Sequence, residues 1–307
     1  MTSVPARRVR RFVVILLLVV VGCSDAAGSG AKTKPKPVRI AIPGPLAIAP
    51  DGALVVGDRG LRRVVRINVR TKRRTVIASG FASEPVGLGY DDLSRLYVSA
   101  GDRVYRIEGR RKVVVAGTGR RGHAGDGSAA TQATLAGATG IDVDHNERIA
   151  IAEYDNWIRV VENDGRIVTV AGNGGTGYTG DGGRAVDALL GHPHDVVWRR
   201  DDVLVIADSH NGVLRRVDST GRISTFASGL GAPIDVVGAP GDALFVADGG
   251  GRVLRVAPDG AVAQVARVSS PIAVAVDNNG NAYVSQLSLR RVVRVSPQGR
   301  VTPFVRR

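Results

Sequence analysis

Four of the five histidines in this 307-residue chain lie in short stretches that also hold carboxylates, aromatic rings or glycines. His194 stands in Pro193-His194-Asp195, preceded by His192, and His210 stands in Asp208-Ser209-His210-Asn211. Imidazoles next to carboxylates suit metal coordination or proton transfer. Asp235 repeats the Asp195 position in Pro233-Ile234-Asp235, so His194, Asp195 and Asp235 are the candidate metal ligands. Two carboxylates without further oxygens would hold a calcium ion weakly. Asp126 and Asp181 each sit between two glycines, while Tyr154, Trp157 and Tyr178 supply rings able to stack on a sugar or a peptide side chain. A Cys-His hydrolytic pair is not indicated, because Cys23 is the sole cysteine and lies at the end of an N-terminal leader.

These groups must be positioned by a repeat. From residue 38 the chain cycles six times through four short apolar stretches, broken by Gly, Asp and Pro. One cycle contains Leu204-Val205-Ile206-Ala207-Asp208, then Leu214-Arg215-Arg216-Val217, then Ile223-Ser224-Thr225-Phe226-Ala227. The aligned starts are Pro45, Pro85, Ala138, Pro193, Pro233 and Pro271, separated by 40, 53, 55, 40 and 38 residues. Four β-branched strands at this period predict an all-β fold, a six-bladed β-propeller with four antiparallel strands per blade. One blade cannot bury both of its faces, so residues 38–307 should form one cooperative domain. Two segments compete to complete the ring, residues 38–42 as an extra outer strand and Val301 to Val305, whose Pro303 belongs on an edge. Asp58, Asp208, Asp248 and Glu153 end the second strands and are expected to accept hydrogen bonds from the following turn. Arg66, Arg106, Arg216, Arg255 and Arg294 recur in the third strand and are expected to be architectural.

The unit from Pro193 to Gly229 resembles an NHL repeat in its V-A-D, N and R-V-x-R-V positions, and the resemblance covers all six units. Two connections, Ala116 to Leu135 and Ala171 to Leu190, resemble the A-G-x-G-x-x-G-x-x-G-D-G linkers of bacterial NHL proteins, with equivalent residues 55 apart. In such a blade the turn between strands two and three and the link to the next blade share one face of the disc. That arrangement gathers Asp126, Tyr154, Trp157, Tyr178, Asp181, His194 and His210 into one sector as the expected ligand-binding residues. Six-bladed peptidyl-amidoglycolate lyases imply a zinc held by three histidines entering different inner strands. Here Leu46, Val86, Thr139, Ile234 and Ile272 stand at the places equivalent to His194, so that zinc site is missing. Gluconolactonase-type propellers imply a carboxylate and amide cluster around a calcium; Asp195 and Asp235 occupy neighbouring entries, and no Glu or Asn joins them in the inner strands.

The N-terminus carries Arg7, Arg8, Arg10 and Arg11, then an unbroken apolar run from Phe12 to Val21, then Gly22 and Cys23. Ten apolar residues are half of the ~20 a spanning helix needs, so the run reads as a cleavable signal, residues 1–22. Val20-Val21-Gly22-Cys23 resembles a bacterial lipobox, which implies lipidation of Cys23. Residues 23–37, rich in Lys, Gly and Pro, then form a tether. The formal charge of +14 falls to +10 without residues 1–22 and to +8 for 38–307. An aromatic content of 4% argues against nucleic acid as partner. The sequence thus predicts an exported monomer, lipid-anchored to the outer side of the bacterial cell membrane, without a cofactor. It would bind or scaffold an envelope protein, peptide or glycan. The alternative is a metal-dependent hydrolase or lyase using calcium or zinc at the channel mouth.

Overall fold

The second strand of every unit opens on three apolar residues and ends, in five of the six, on a carboxylate or an amide side chain, and in the computed structural model all six of these strands are buried at each position. Such a strand has neighbours on both faces, and six sheets stacked around an axis provide them. The structure describes residues 38–305; Cys23, the leader and the tether lie outside the described residues. Those residues form six four-stranded antiparallel sheets, each built from consecutive strands. The inner strands are Pro43–Ile48, Pro85–Tyr90, Ala138–Val143, Pro193–Trp198, Pro233–Gly238 and Pro271–Val276. Outward follow the second strands, such as Leu204–Asp208, the third, such as Val213–Val217, and the outer, such as Ile223–Ala227. This is a six-bladed β-propeller.

Six apolar cores lie between neighbouring blades. The core between blades 6 and 1 joins Leu54, Val56 and Val65 to Ala273, Tyr283 and Val305, so the ring closes by the same side-chain packing found at every other interface. Val301–Val305 is the outer strand of blade 6, pairing only with Arg291–Val295, and Pro303 sits on its exposed edge. Residues 38–42 are not the extra strand expected of them. Their amides are already engaged, since Ala41 and Ile42 donate to Oδ1 of Asp58 at 3.1 and 3.2 Å. The first unit also starts two residues earlier than its sequence suggests. Pro43, not Pro45, faces Asp58, as Pro193 faces Asp208 and Pro233 faces Asp248. Gly44 therefore takes the place of His194, and Pro45 that of Asp195. Gly57 makes this possible, because a Cβ there would lie 2.7 Å from the Pro45 ring.

The carboxylates ending the second strands accept chiefly from the segment that leads into their own blade; of the following-turn amides the sequence suggested, Gly250 N reaches Asp248 at 3.4 Å. Asp208 accepts from Gly191 N at 2.6 Å, Asp248 from Gly231 N and Ala232 N at 3.0 and 2.7 Å, and Glu153 from Ala136 N at 2.8 Å. In blade 6 Gln286 reverses the polarity, donating to the carbonyl of Ser269 at 2.9 Å. Asp58, Asp208, Asp248 and Glu153 are wholly buried, away from water, and their partners are backbone amides, nearby guanidinium groups and, for Asp208, the Asn211 side-chain amide at 2.8 Å. Loss of a buried, charge-assisted acceptor leaves its donors unsatisfied. Asp248→Ala should therefore lower the unfolding free energy by about 3 kcal/mol in urea denaturation. A fall below about 1 kcal/mol would show that the links hold without the carboxylate.

Candidate functional site

The two long linkers are fastened by buried arginines. Arg159 and Arg215, at equivalent places in the third strands of blades 3 and 4, are fully enclosed. Arg159 Nη2 pairs with Asp126 at 2.5 Å and its Nη1 donates to the Thr134 carbonyl at 3.1 Å. Arg215 Nη2 pairs with Asp181 at 2.6 Å and donates to the Thr179 carbonyl at 3.0 Å. The second carboxylate oxygens accept from Thr169 N at 3.1 Å and Thr225 N at 3.0 Å, and these contacts hold both carboxyls below their usual range despite partial burial. Asp126 and Asp181 thus tie each linker to the outer strand of the blade it enters. The aligned residues in other blades are Val65, Tyr105, Leu254 and Val293, so the arginine and the linker aspartate occur together.

The aromatic residues divide into two groups. Trp157 stacks on His123, ring centroids 3.6 Å apart and planes at 12°, and Gly174 lies against the same indole, where a Cβ would come within 2.7 Å. Tyr178 covers the Arg215 guanidinium at 5.0 Å and bonds Thr225 through its hydroxyl at 2.6 Å. Tyr154 and three histidines form the second group. Tyr154 lies 4.5 Å from His192 and 5.7 Å from His194, and His192 lies 4.3 Å from His210, all between ring centroids. His192 is placed with φ 47°, while Asn156 Oδ1 accepts from its amide at 2.7 Å and Tyr154 O meets its Nδ1 at 3.0 Å. Tyr154 and His210 are exposed, and His192 and His194 are half-buried. Burial and the adjacent His210 and His192 hold His194 below the usual imidazole value. The cluster offers a flat aromatic surface edged by donor and acceptor nitrogens. Sequence reading gathered Tyr154, His194 and His210 but counted His192 only as a neighbour; its spacing of two from His194 was the available signal.

The channel contains three carboxyls. Asp195 accepts from Val236 N at 2.8 Å and Asp235 from Val274 N at 2.7 Å, each tying its inner strand to that of the next blade. Asp142 accepts from Trp198 N at 2.8 Å. Burial raises all three. Asp195 is raised well above its ordinary value by burial and the nearby Asp235, and Asp142 is pushed up to about 7 by burial. Gly140 must be glycine because the Asp195 carboxyl fills the space a Cβ would need. Among the described residues, one trio of potential ligands brings its donor atoms within 4.8 Å of one another, Asp144, His145 and Asp202. It lies on the opposite face, where Arg148 already pairs with Asp144 at 2.6 Å and Asp202 at 2.7 Å. His194, Asp195 and Asp235 form no such trio. The channel widens toward that opposite face into a cavity of about 900 Å³ lined by Leu46, Tyr90, Asp142, Val237, Val276 and Asn278, which sequence reading did not find. Its one sequence mark is Asp142 interrupting an otherwise apolar inner strand.

No protein-family model and no curated protein matches this chain. Solved structures do. A streptogramin B lyase superposes with TM-score 0.62 at 12% identity, covering 88% of this chain and 85% of that one. A chain of a nidogen–laminin complex gives 0.65 at 15% identity, covering 83% and 93%. A provisional gluconolactonase gives 0.63 at 11% identity, covering 87% and 93%. The common feature of these proteins is the propeller, and at such identity the likeness extends to the fold alone.

The channel carboxyls give the ring a pH dependence. A carboxyl whose folded value lies above its unfolded ~3.9 binds its proton more tightly in the native state, so stability falls as pH rises between the two. For Asp142 the window runs from about 4 to about 7. Asp142→Asn keeps an acceptor for Trp198 N and removes the charge. It should melt at least ~3 °C above the parent at pH 8 and with it at pH 4. Equal melting temperatures at pH 8 would show that the carboxyl ionises without cost.

Proposed function

We propose that this chain is an NHL-type envelope lipoprotein that binds a protein, peptide or glycan through the cluster of Tyr154, His192, His194 and His210. The observation carrying this reading is the convergence of one tyrosine and three histidines, absent from the other blades, at an open position beside the channel. Repeated residues serve the ring; these do not repeat. Trp157, Tyr178, Asp126 and Asp181 serve the linkers beside the cluster, Asp126 and Asp181 by fixing them and the two rings by packing on their His123 and on the Arg215 that holds them. The fold hosts binding proteins and enzymes alike, so the site is what argues function. The lipobox-like run ending at Cys23 and the Lys- and Pro-containing residues 24–37 support anchorage on the outer side of the cell membrane, with residues 1–22 removed.

A second reading, a metal-dependent hydrolase or lyase at the channel mouth, rests on His194 beside Asp195 and Asp235, ligand types that do not come together as a trio within 4.8 Å. Asp195 and Asp235 lie deeper and would serve a calcium only with further oxygens.

Capture from cell-envelope extract tests the first reading. The pair Tyr154→Ala and His194→Ala should lose captured partner at least tenfold while melting within the ~0.5 kcal/mol expected of surface changes. Unchanged capture would move the site elsewhere, and stoichiometric zinc or calcium retained by the purified parent but not by His194→Ala would favour the enzyme. Anchorage is tested separately: Cys23→Ser should shift the protein from the membrane to the soluble fraction, because one thioether-linked lipid with amide acylation is what makes the anchor stable. Retention of processed Cys23→Ser protein in the membrane would contradict it.

A further inference from the structure

Three of the four markedly exposed leucines among the described residues lie in two neighbouring turns. Leu61 is 51% exposed in the turn joining strands two and three of blade 1, and Leu287 and Leu289 are 41% and 48% exposed in the same turn of blade 6. Blades 1 and 6 meet at the seam where the ring closes. The corresponding turns elsewhere carry Gly101-Asp102, Tyr154-Asp155-Asn156, Ser209-His210-Asn211 and Gly249-Gly250-Gly251, with no leucine among them.

Charge accompanies the leucines. Residues 58–63 and 286–291 together hold five arginines and one carboxylate, the buried Asp58. Arg59 pairs with Glu84, Arg63 with Asp58, and Arg291 donates to Gln286 Oε1 at 2.6 Å. Among the described residues, Arg62 and Arg290 have no carboxylate within 4.0 Å. Both adopt φ 46°, which turns the chain sharply beside each leucine. The described chain also begins here. Gly60 lies against Ala41 and Ile42, where a Cβ would come within 2.9 Å of Ala41, and Arg63 donates to the carbonyl of Arg39. Fourteen residues, 24–37, separate this point from Cys23, a reach of at most ~50 Å.

We propose that the edge of the ring formed by these two turns rests on an anionic bilayer surface. Leu61, Leu287 and Leu289 enter the headgroup region, and Arg62 and Arg290 contact lipid phosphates. The inference takes its setting from the lipoprotein reading, and it adds a second contact to the lipid, which by itself fixes no orientation. Docked by this edge, the protein holds the histidine cluster, in the same turns of blades 3 and 4, across the channel from the bilayer contact.

Co-sedimentation with vesicles tests it on the chain from residue 23 carrying Cys23→Ser, since residues 37–307 form a compact unit by themselves. The unlipidated parent should sediment with vesicles of equal parts phosphatidylglycerol and phosphatidylcholine, and less with phosphatidylcholine alone. Combining Leu61→Ser, Leu287→Ser and Leu289→Ser should cut partitioning about tenfold or more, and Arg62→Ser with Arg290→Ser should erase the preference for anionic vesicles, at about fivefold per charge. Melting curves of the variants should overlay the parent's. A parent that does not sediment, or a leucine variant that sediments as well as the parent, overturns the proposal and leaves the patch to a protein partner. Because no lipid is attached in any of these proteins, such a failure leaves the Cys23 reading to its own fractionation test.

Discussion

A hydrogen bond between the end of one blade's second strand and the amides of the segment leading into that blade is the constraint on which this ring depends. Sheets packed face to face by valine and isoleucine could slide, because dispersion and the hydrophobic effect have little directionality. A buried carboxylate cannot slide away from its donors without leaving a charge unsolvated. Asp58, Asp208, Asp248 and Glu153 therefore fix the position of each incoming segment, and with it the height at which the next inner strand starts. Asp195 and Asp235 repeat the device nearer the axis, where they accept from the following blade's backbone.

Period and strand composition made the six blades legible in the sequence, because a strand buried on both faces is largely apolar. The register of blade 1 was not legible. Pro43 and Pro45 both fit the start of an inner strand, and only the pairing of Pro43 with Asp58 separates them. Residues 38–42 have strand-like composition, yet composition cannot show that their amides are already bonded to a side chain sixteen or seventeen residues away. Local spacing could not reveal that the carboxylates face backward along the chain, since their partners lie sixteen or seventeen residues upstream, ahead of the blade's inner strand.

The candidate site was legible where residues depart from the repeat and illegible where two departures answer each other. Asp126 and Asp181 look like exposed, glycine-flanked carboxylates available to a ligand. Their partners, Arg159 and Arg215, lie 33 and 34 residues away and stand out only once the third strands are superposed. Trp157 and His123 are a similar pair, each unusual alone and explained by the other. Tyr154, His192, His194 and His210 remain without such an internal explanation. The cavity at the opposite mouth left almost no trace, because it is lined by the ends of many strands, none distinctive by itself.

The ring closes without a strand shared between its two ends. Blade 6 is completed by Val301–Val305 and blade 1 by its own four strands, so the seam is bridged by side chains and not by a ladder of backbone hydrogen bonds. Mechanically, this makes the seam a latch. A pull applied at residue 38 enters the ring at blade 1, beside that seam, and would peel the apolar contacts one after another, whereas a sheet ladder loaded in shear must yield all at once. Under tension from that end the ring would part first at the seam, the one junction between blades that no backbone link crosses.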